Sequence, residues 1–490
     1  MRRWIALFAL AFFCPVVRAA DLTERMAALV ERKSPAFGNA GIHVVDASTG
    51  ESIYALNEHE FFLPASNAKL FTSALALEKL GADYRFTTKV LVAPSGDLVL
   101  VGSGDPSMSG RVYPYIRDLR DKKDVPRADP IDELAAQIVK RGILRIDGDI
   151  VGDDSLFPWV PYPQTWSVDD TSKEYGAPVS ALSVDDNVVA FLITPAARAG
   201  DHASFSLSRQ VEFLTIDHRV ITGPRGSSPS IQLRHVPGSR QWIVTGSIPL
   251  GHATVVEELP VDDPAAFAAV ALYDALVRRG VAIRGRPVAH HRPQGTSYVA
   301  PAGSEVASRQ SPPLTELLRM MEKISQNLHA ELLLREVGRV RRQEGSTEAG
   351  LAELEAFLKS IDVSAEQSAV KQLDVRMDDG SGLGRNTLVT PRWITQLLAH
   401  EYASQNRDLW VSLLPAGGED GTLEHRLCCV SDGGGIHAKT GSLSRAVALS
   451  GYALTKTSGT LAFSILVNDF AAPNAEVRAW VDKIAAALLE

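Results

Sequence analysis

The chain has 490 residues, 45% of them hydrophobic, and its 50 basic against 58 acidic residues leave a net charge of −8. That length suggests about two to four domains with large cores, and charges of both signs spread along the chain leave no footprint for nucleic acid. With three cysteines, two of them adjacent, no disulfide framework can staple the fold.

Residues 1–19 read as a secretory signal peptide. Arg2 and Arg3 lead an apolar run from Trp4 to Phe13, and Val17-Arg18-Ala19 supplies the cleavage region. The mature chain is expected to begin near Ala20 and to be periplasmic or secreted. Phe13 stands where a lipoprotein signal takes a small residue, which disfavours lipidation of Cys14. No second run is long enough to span a bilayer, so no stable membrane span is expected after cleavage.

Two strand patterns follow, Gly41 to Asp46 and Glu51 to Leu56, joined by the turn Ala47-Ser48-Thr49-Gly50 as a hairpin. Pro64 then precedes a helix over residues 66–80, with Leu70, Ala74 and Leu77 in one stripe and Gly81 at its end. Ser66 falls in the first turn, and Lys69, three residues on, shares its face. The helix start leaves backbone N–H groups unpaired, and that of Ser66 can point at a developing oxyanion. Serine is a weak nucleophile, and a lysine can act as its base only when neutral. That state requires desolvation or a second cation close by, and Lys439 could supply the cation.

The stretch from Lys69 to Ser325 is far longer than a helical lobe needs, so the domain is split by an insertion over residues 87–303. Alternating patterns such as Lys89-Val90-Leu91-Val92 and Leu98-Val99-Leu100-Val101 make it largely β. One helix interrupts it, Pro264 to Arg279, with Ala269, Leu272, Tyr273 and Leu276 on one face and Gly280 as its stop. Gly102-Ser103-Gly104-Asp105-Pro106 lacks the Lys-Ser/Thr of a P-loop and reads as a tight turn.

Beyond the insertion, Ser325 and Asn327 sit in a break between helices over Leu314–Met321 and Leu328–Val337, where both side chains are exposed to a cleft. The competing reading is that Ser325 caps the second helix. Cys428-Cys429 reads as a pair of loop thiols or as a strained vicinal disulfide. Lys439-Thr440-Gly441 lies on a strand, where Gly441 lets an extended peptide approach. Strands over His437–Gly441, Ala446–Leu454 and Thr460–Val467 precede a helix over Ala475–Leu489 that presents Val477, Trp480, Val481, Ile484 and Leu488 on one face. The fold class is therefore α+β. An antiparallel five-stranded sheet is covered by terminal helices, and a helical lobe from residues 66–80 and about 314–410 closes a cleft against it. His59, His290 and His291 lack ligand spacing, and no metal or cofactor is expected.

The ordered triple Ser66-Asn67-Ala68-Lys69, Ser325-Gln326-Asn327 and Lys439-Thr440-Gly441 matches the signature of penicillin-binding proteins and class A β-lactamases. With Gly102–Pro106, Ser325–Glu331, Asp379-Gly380-Ser381-Gly382-Leu383 and Gly421-Thr422-Leu423, the chain resembles the D-alanyl-D-alanine carboxypeptidase/endopeptidase family of the penicillin-binding protein 4 type, peptidase family S13. The resemblance covers nearly the whole mature chain. It implies a penicillin-binding/β-lactamase-like transpeptidase domain in two pieces, 20–86 and 304–490. It further implies an inserted domain, 87–164 with 259–303, and a nested one, 165–258.

It also implies site roles. Ser66 is the nucleophile, Lys69 its base, and Ser325 relays a proton to the departing amine. Asn327 binds substrate backbone, Lys439 and Thr440 face the terminal carboxylate beside Gly441, and the N–H of Ser442 is the second oxyanion donor. Asp153, Asp154 and Arg385 are implied in binding a diaminopimelate-type stem residue. The expected partners are peptidoglycan stem peptides, with β-lactam antibiotics as covalent inhibitors. Two positions depart from the family pattern: Gln326 stands where Asp is usual, and Gly384 where Ser is common. A β-lactamase would need a water-activating acid near the cleft and compact motif spacing, and a non-catalytic peptidoglycan-binding module would not need to retain every catalytic group.

Overall fold

Strands from the two ends of the chain build one antiparallel sheet, in the order Gly435–Leu443, Ala446–Leu454, Thr460–Asn468, Asn39–Asp46 and Ser52–Leu56. The structure is a computed structural model describing residues 15–116, 129–361, 374–428, 435–455 and 459–489. Residues 1–14 of the expected signal peptide lie outside the described residues, and helix Pro15–Glu31 runs through the expected cleavage point.

Both faces of this sheet are covered, so its inner strand Ala446–Leu454 is buried almost throughout rather than alternating. One face packs on the terminal helices Pro15–Glu31 and Asn474–Ala487 through Met26, Val477, Trp480, Val481 and Ile484. Burying each such side chain contributes about 1.5–3 kcal/mol. The other face packs on the helical lobe, with Tyr452, Ala462 and Leu466 meeting Leu70, Leu318, Trp393 and Leu397.

The insertion carries a mixed five-stranded sheet in the order Pro287–Arg292, Ile150–Pro158, Leu98–Val101, Thr87–Val92, Ser304–Gln310. Its last strand, just beyond the boundary expected at 303/304, pairs with Thr87–Val92. Helix Pro264–Arg278 covers this sheet and is capped by Asp263, which accepts from Ala266 N. Two three-stranded sheets lie within residues 188–260, around Phe191, Val220, Trp242 and Ile248. At Gly104 the φ of 75° is the left-handed geometry that the expected tight turn needs.

One segment of the insertion sets the shape of the site. Residues 165–179 run back toward the helical lobe, where Trp166 and Val179 pack with Phe157 against Leu328, Leu332 and Leu383. The Trp166 indole donates to Asp379 Oδ2 at 3.0 Å. Among the described residues, no helix is long and apolar enough to cross a membrane.

Candidate active site

Pro64 and the residues after it form a 3₁₀ turn, Ala65–Asn67, that leads directly into helix Ala68–Leu80. Ala65 has φ 49°, an uncommon left-handed value for a side chain with a Cβ, immediately before the half-buried Ser66. The turn is pressed on the sheet: a Cβ at Gly441 would lie 2.7 Å from the Pro64 carbonyl oxygen. Glycine at 441 therefore also serves close packing within the chain. The Asn67 side chain reaches Ser450 at 2.7 Å and fastens the turn to the same sheet.

Lys69 is fully buried and makes three contacts: Ser66 Oγ at 3.0 Å, Asn327 Oδ1 at 2.6 Å and the Ser381 carbonyl at 2.8 Å. Two of these partners can only accept. A neutral amine has two N–H groups and one lone pair; with both N–H groups given to Asn327 and Ser381, the lone pair is left for the Ser66 hydroxyl proton. Burial is the main cause that lowers the Lys69 pKa to about 7, with the Lys439 cation second; Glu322, Asp379 and Glu331 oppose it.

Ser325 ends helix Leu314–Ile324 in the left-handed conformation, φ 62° and ψ 40°. It does not cap the next helix. Gln326 does, accepting from Leu328 N at 3.1 Å, so the residue that departs from the family pattern retains a capping function. Freed from that task, the Ser325 hydroxyl accepts from Lys439 Nζ at 2.8 Å. Lys439 is also fully buried, and burial lowers its pKa to about 8 against the opposing charge of Glu322. Thr440 Oγ1 donates to Thr422 Oγ1 at 2.8 Å, which gives the Gly421-Thr422-Leu423 segment a place beside the edge strand.

Ser66, Ser325, Asn327 and Ser442 line one cleft of about 460 Å³, with Lys69 and Lys439 enclosed behind it. Its far wall comes from the insertion. Asn327 Nδ2 donates to the Tyr175 carbonyl at 2.8 Å, and Tyr175, Asp170 and Arg385 line the opening. Asp170 Oδ2 lies 4.0 Å from the Arg385 guanidinium and has no hydrogen-bond partner.

Asp153 and Asp154 are not in this cleft. They lie 3% and 2% exposed within strand Ile150–Pro158. Asp153 accepts from Ser155 and pairs with His290 at 2.8 Å, while Asp154 accepts from Ser180 and pairs with His291 at 2.9 Å. The reading that put them at the stem-residue subsite is corrected: both carboxylates are consumed inside the inserted domain, and the acid at the cleft is Asp170. Arg385 is at the cleft as expected. Cys428 is a free, exposed thiol, and Cys429 lies outside the described residues.

Several working residues escaped sequence reasoning. The Ser381 carbonyl is aimed by a loop in which Glu331 accepts from the N–H groups of Gly380 and Ser381, and Asp379 from those of Gly382 and Gly384. The Asp379–Leu383 segment had been singled out by pattern, yet its contact with Lys69 is made by a backbone atom that no side-chain signature reveals. Gly384 has a packing reason, because a Cβ there would lie 2.3 Å from Thr165 Oγ1.

The model of the D-Ala-D-Ala carboxypeptidase 3 (S13) family matches residues 22–488. The chain is 33% identical over 474 residues to the D-alanyl-D-alanine carboxypeptidase of Actinomadura sp. (strain R39), covering 93% of this chain and 82% of that one. It is 27% identical to the penicillin-sensitive carboxypeptidase A of Dictyostelium discoideum, covering 89% and 84%. In fold it is similar to the crystal structure of penicillin binding protein 4 from Haemophilus influenzae, with a TM-score of 0.76 at 23% identity over 94% of this chain and 98% of that one. The same protein complexed with a novel β-lactam is matched at a TM-score of 0.72 and 22% identity, with the same coverage. The family model spans both ends of the split sheet and the whole insertion, and the chain belongs to the D-Ala-D-Ala carboxypeptidase 3 (S13) family.

Proposed function

We propose that the protein is a penicillin-sensitive serine DD-carboxypeptidase, and also a DD-endopeptidase, that cleaves D-Ala-D-Ala and D-Ala-diaminopimelate bonds of peptidoglycan through an acyl-enzyme on Ser66. The observation that carries this reading is the Lys69 amine, whose two N–H groups are spent on Asn327 and Ser381 and whose third direction faces Ser66 at 3.0 Å. Lys69 takes the Ser66 proton as Oγ attacks the carbonyl carbon. The N–H groups of Ser66 and Ser442 receive the oxyanion. The amide nitrogen leaves with a proton delivered through Ser325, which Lys439 holds in place and polarises. Water then resolves the ester by the same proton route in reverse.

Both leaving groups, D-alanine and the D-centre of diaminopimelate, carry a carboxylate beside the attacked nitrogen. The field of Lys439 favours that anion, as does the Thr440 hydroxyl once it turns from Thr422 to the substrate, so one subsite serves both hydrolyses. Asp170 and Arg385 bind the ammonium and carboxylate at the end of the diaminopimelate side chain. The reading includes export of the chain to the cell envelope on removal of residues 1–19.

Incubation with a fluorescent penicillin, followed by mass spectrometry of the labelled peptide, tests the nucleophile. One stoichiometric label on Ser66, slowly released and absent from Ser66→Ala, is expected. A label on another residue, or rapid turnover of penicillin with no accumulating adduct, would overturn the reading, the latter in favour of a β-lactamase.

A further inference from the structure

Glu322 lies one helical turn before Ser325 on helix Leu314–Ile324 and is fully buried. Its Oε1 accepts from Ser73 Oγ at 2.5 Å, and Ser73 lies one turn beyond Lys69 on the nucleophile helix. Its Oε2 is buried without any hydrogen-bond partner. A carboxylate kept merely as a strut between two helices would be a costly choice, since a buried anion with one oxygen unbonded is destabilising unless opposite charge lies close. Burial raises the Glu322 pKa, and what opposes it and favours the anion is the charge of Lys439, the Ser73 hydrogen bond and the charge of Lys69.

We propose that Glu322 is a positioning residue of the acylation reaction, a buried counter-ion that acts through Lys69 and Lys439 and has its greatest effect when the Ser66 proton arrives on Lys69. Before that transfer one of the two lysines is cationic; after it both are, each shielded from water. An anion reaching both from the floor of the site offsets this second charge at the moment it appears. It also sets how basic Lys69 is and over what range Lys439 stays protonated. The other charged groups facing Lys69 are Glu331 on the following helix and Asp379 on the loop that carries Ser381, whereas Lys439 is opposed by Glu322 alone among the acids that act on it. Glu331 and Asp379 are already engaged by backbone N–H groups, so Glu322 is the acid shared by both lysines.

The proposal rests on the acyl-enzyme reading above. It is tested by the rate of Ser66 acylation by a fluorescent penicillin from pH 5 to 10. Removing an anion makes both lysines weaker bases, so Glu322→Gln is expected to move both limbs of the profile toward acid, the acid limb by about one pH unit. Glu322→Asp keeps the charge and should return both limbs toward the parent. Limbs of Glu322→Gln that coincide with the parent's, whatever the loss of rate, would overturn the proposal. If Glu322→Gln does not fold, Ser73→Ala replaces it: losing the hydrogen bond that favours the carboxylate anion should move the acid limb the same way, and an unmoved limb would again overturn the inference. No acylation of the parent at Ser66 would overturn the acyl-enzyme reading together with this one, whereas normal parental acylation with unmoved limbs sinks this one alone.

Discussion

The Asn327 amide donates to the Tyr175 carbonyl at 2.8 Å while its oxygen accepts from Lys69 at 2.6 Å, so one side chain joins the inserted segment to the buried Lys69 amine. Its chemistry can be inverted with one atom. In Asn327→Asp a carboxylate replaces the amide beside Lys69, which raises the lysine pKa and deprives Tyr175 of its donor. Acylation at pH 7 should fall at least about tenfold and recover in part toward pH 9. A profile that is lowered uniformly, with no displacement of its acid limb, would mean that Asn327 does not act on the Lys69 proton.

Lys69→Met keeps the volume of the side chain and removes the amine. Acylation should drop by at least ~10²-fold, as for a lost general base, and Lys69→Arg should not restore it because guanidinium stays protonated. A second readout follows from the buried amines. The folded pKa values of about 7 for Lys69 and about 8 for Lys439 lie below the unfolded lysine value of about 10.4. Between about pH 7 and 10 the unfolded chain therefore binds more protons, and the lysines' contribution to stability rises with pH across that window. Denaturant unfolding of Lys69→Met at pH 7, 8.5 and 9.5 should show a shallower rise than the parent.

Asp170→Asn and Arg385→Ala should raise KM for stem peptides that carry diaminopimelate, and leave a small generic D-alanyl-D-alanine ester nearly unaffected. Asp153→Asn should do neither. Its side chain is closed off with Ser155 and His290, and its loss should appear in thermal unfolding instead. Steady-state kinetics on the two substrates separates these outcomes, and equal losses on both would make Asp170 a structural residue.

Gly384→Ser, a change toward the commoner family residue, should be harmful here. The new Cβ would meet Thr165 Oγ1 at 2.3 Å and lie 3.1 Å from Asp379 Oδ2. Overpacking of this kind costs about 1–3 kcal/mol, and Thr165→Ala should recover much of it. A double-mutant cycle by thermal unfolding measures the coupling; additive losses would show that the clash is relieved elsewhere.

The parts of this molecule legible in sequence are those made by local periodicity. The nucleophile helix, the three C-terminal strands and helix Pro264–Arg278 declare themselves through spacing, capping prolines and stop glycines, and their observed limits fall within a few residues of the reading. What failed was non-local. Asp153 and Asp154 stand in a pattern that suits a cleft as well as a strand, and only the partners His290 and His291, from a distant strand, decide between the two. Asp170 and Tyr175 lie in short 3₁₀ turns without periodicity, so nothing in the residues around them points to the cleft. Glu322 has the spacing of a buried face on its helix, but a carboxylate there reads as solvent-facing until its burial and its bond to Ser73 on the nucleophile helix are seen.

The split sheet also fixes when the chemistry can begin. Strand Asn39–Asp46 finds its partner in Thr460–Asn468, near the other end of the chain. A polypeptide delivered from its N-terminus exposes Ser66 and Lys69 early and the strand bearing Lys439 very late. Until the last strands dock, Lys69 has neither the enclosure nor the neighbouring cation that lowers its pKa, and remains an ordinary ammonium beside an unreactive serine. Such long-range closure is slow, and on the proposed mechanism Ser66 gains its base only after the two ends of the sheet have paired.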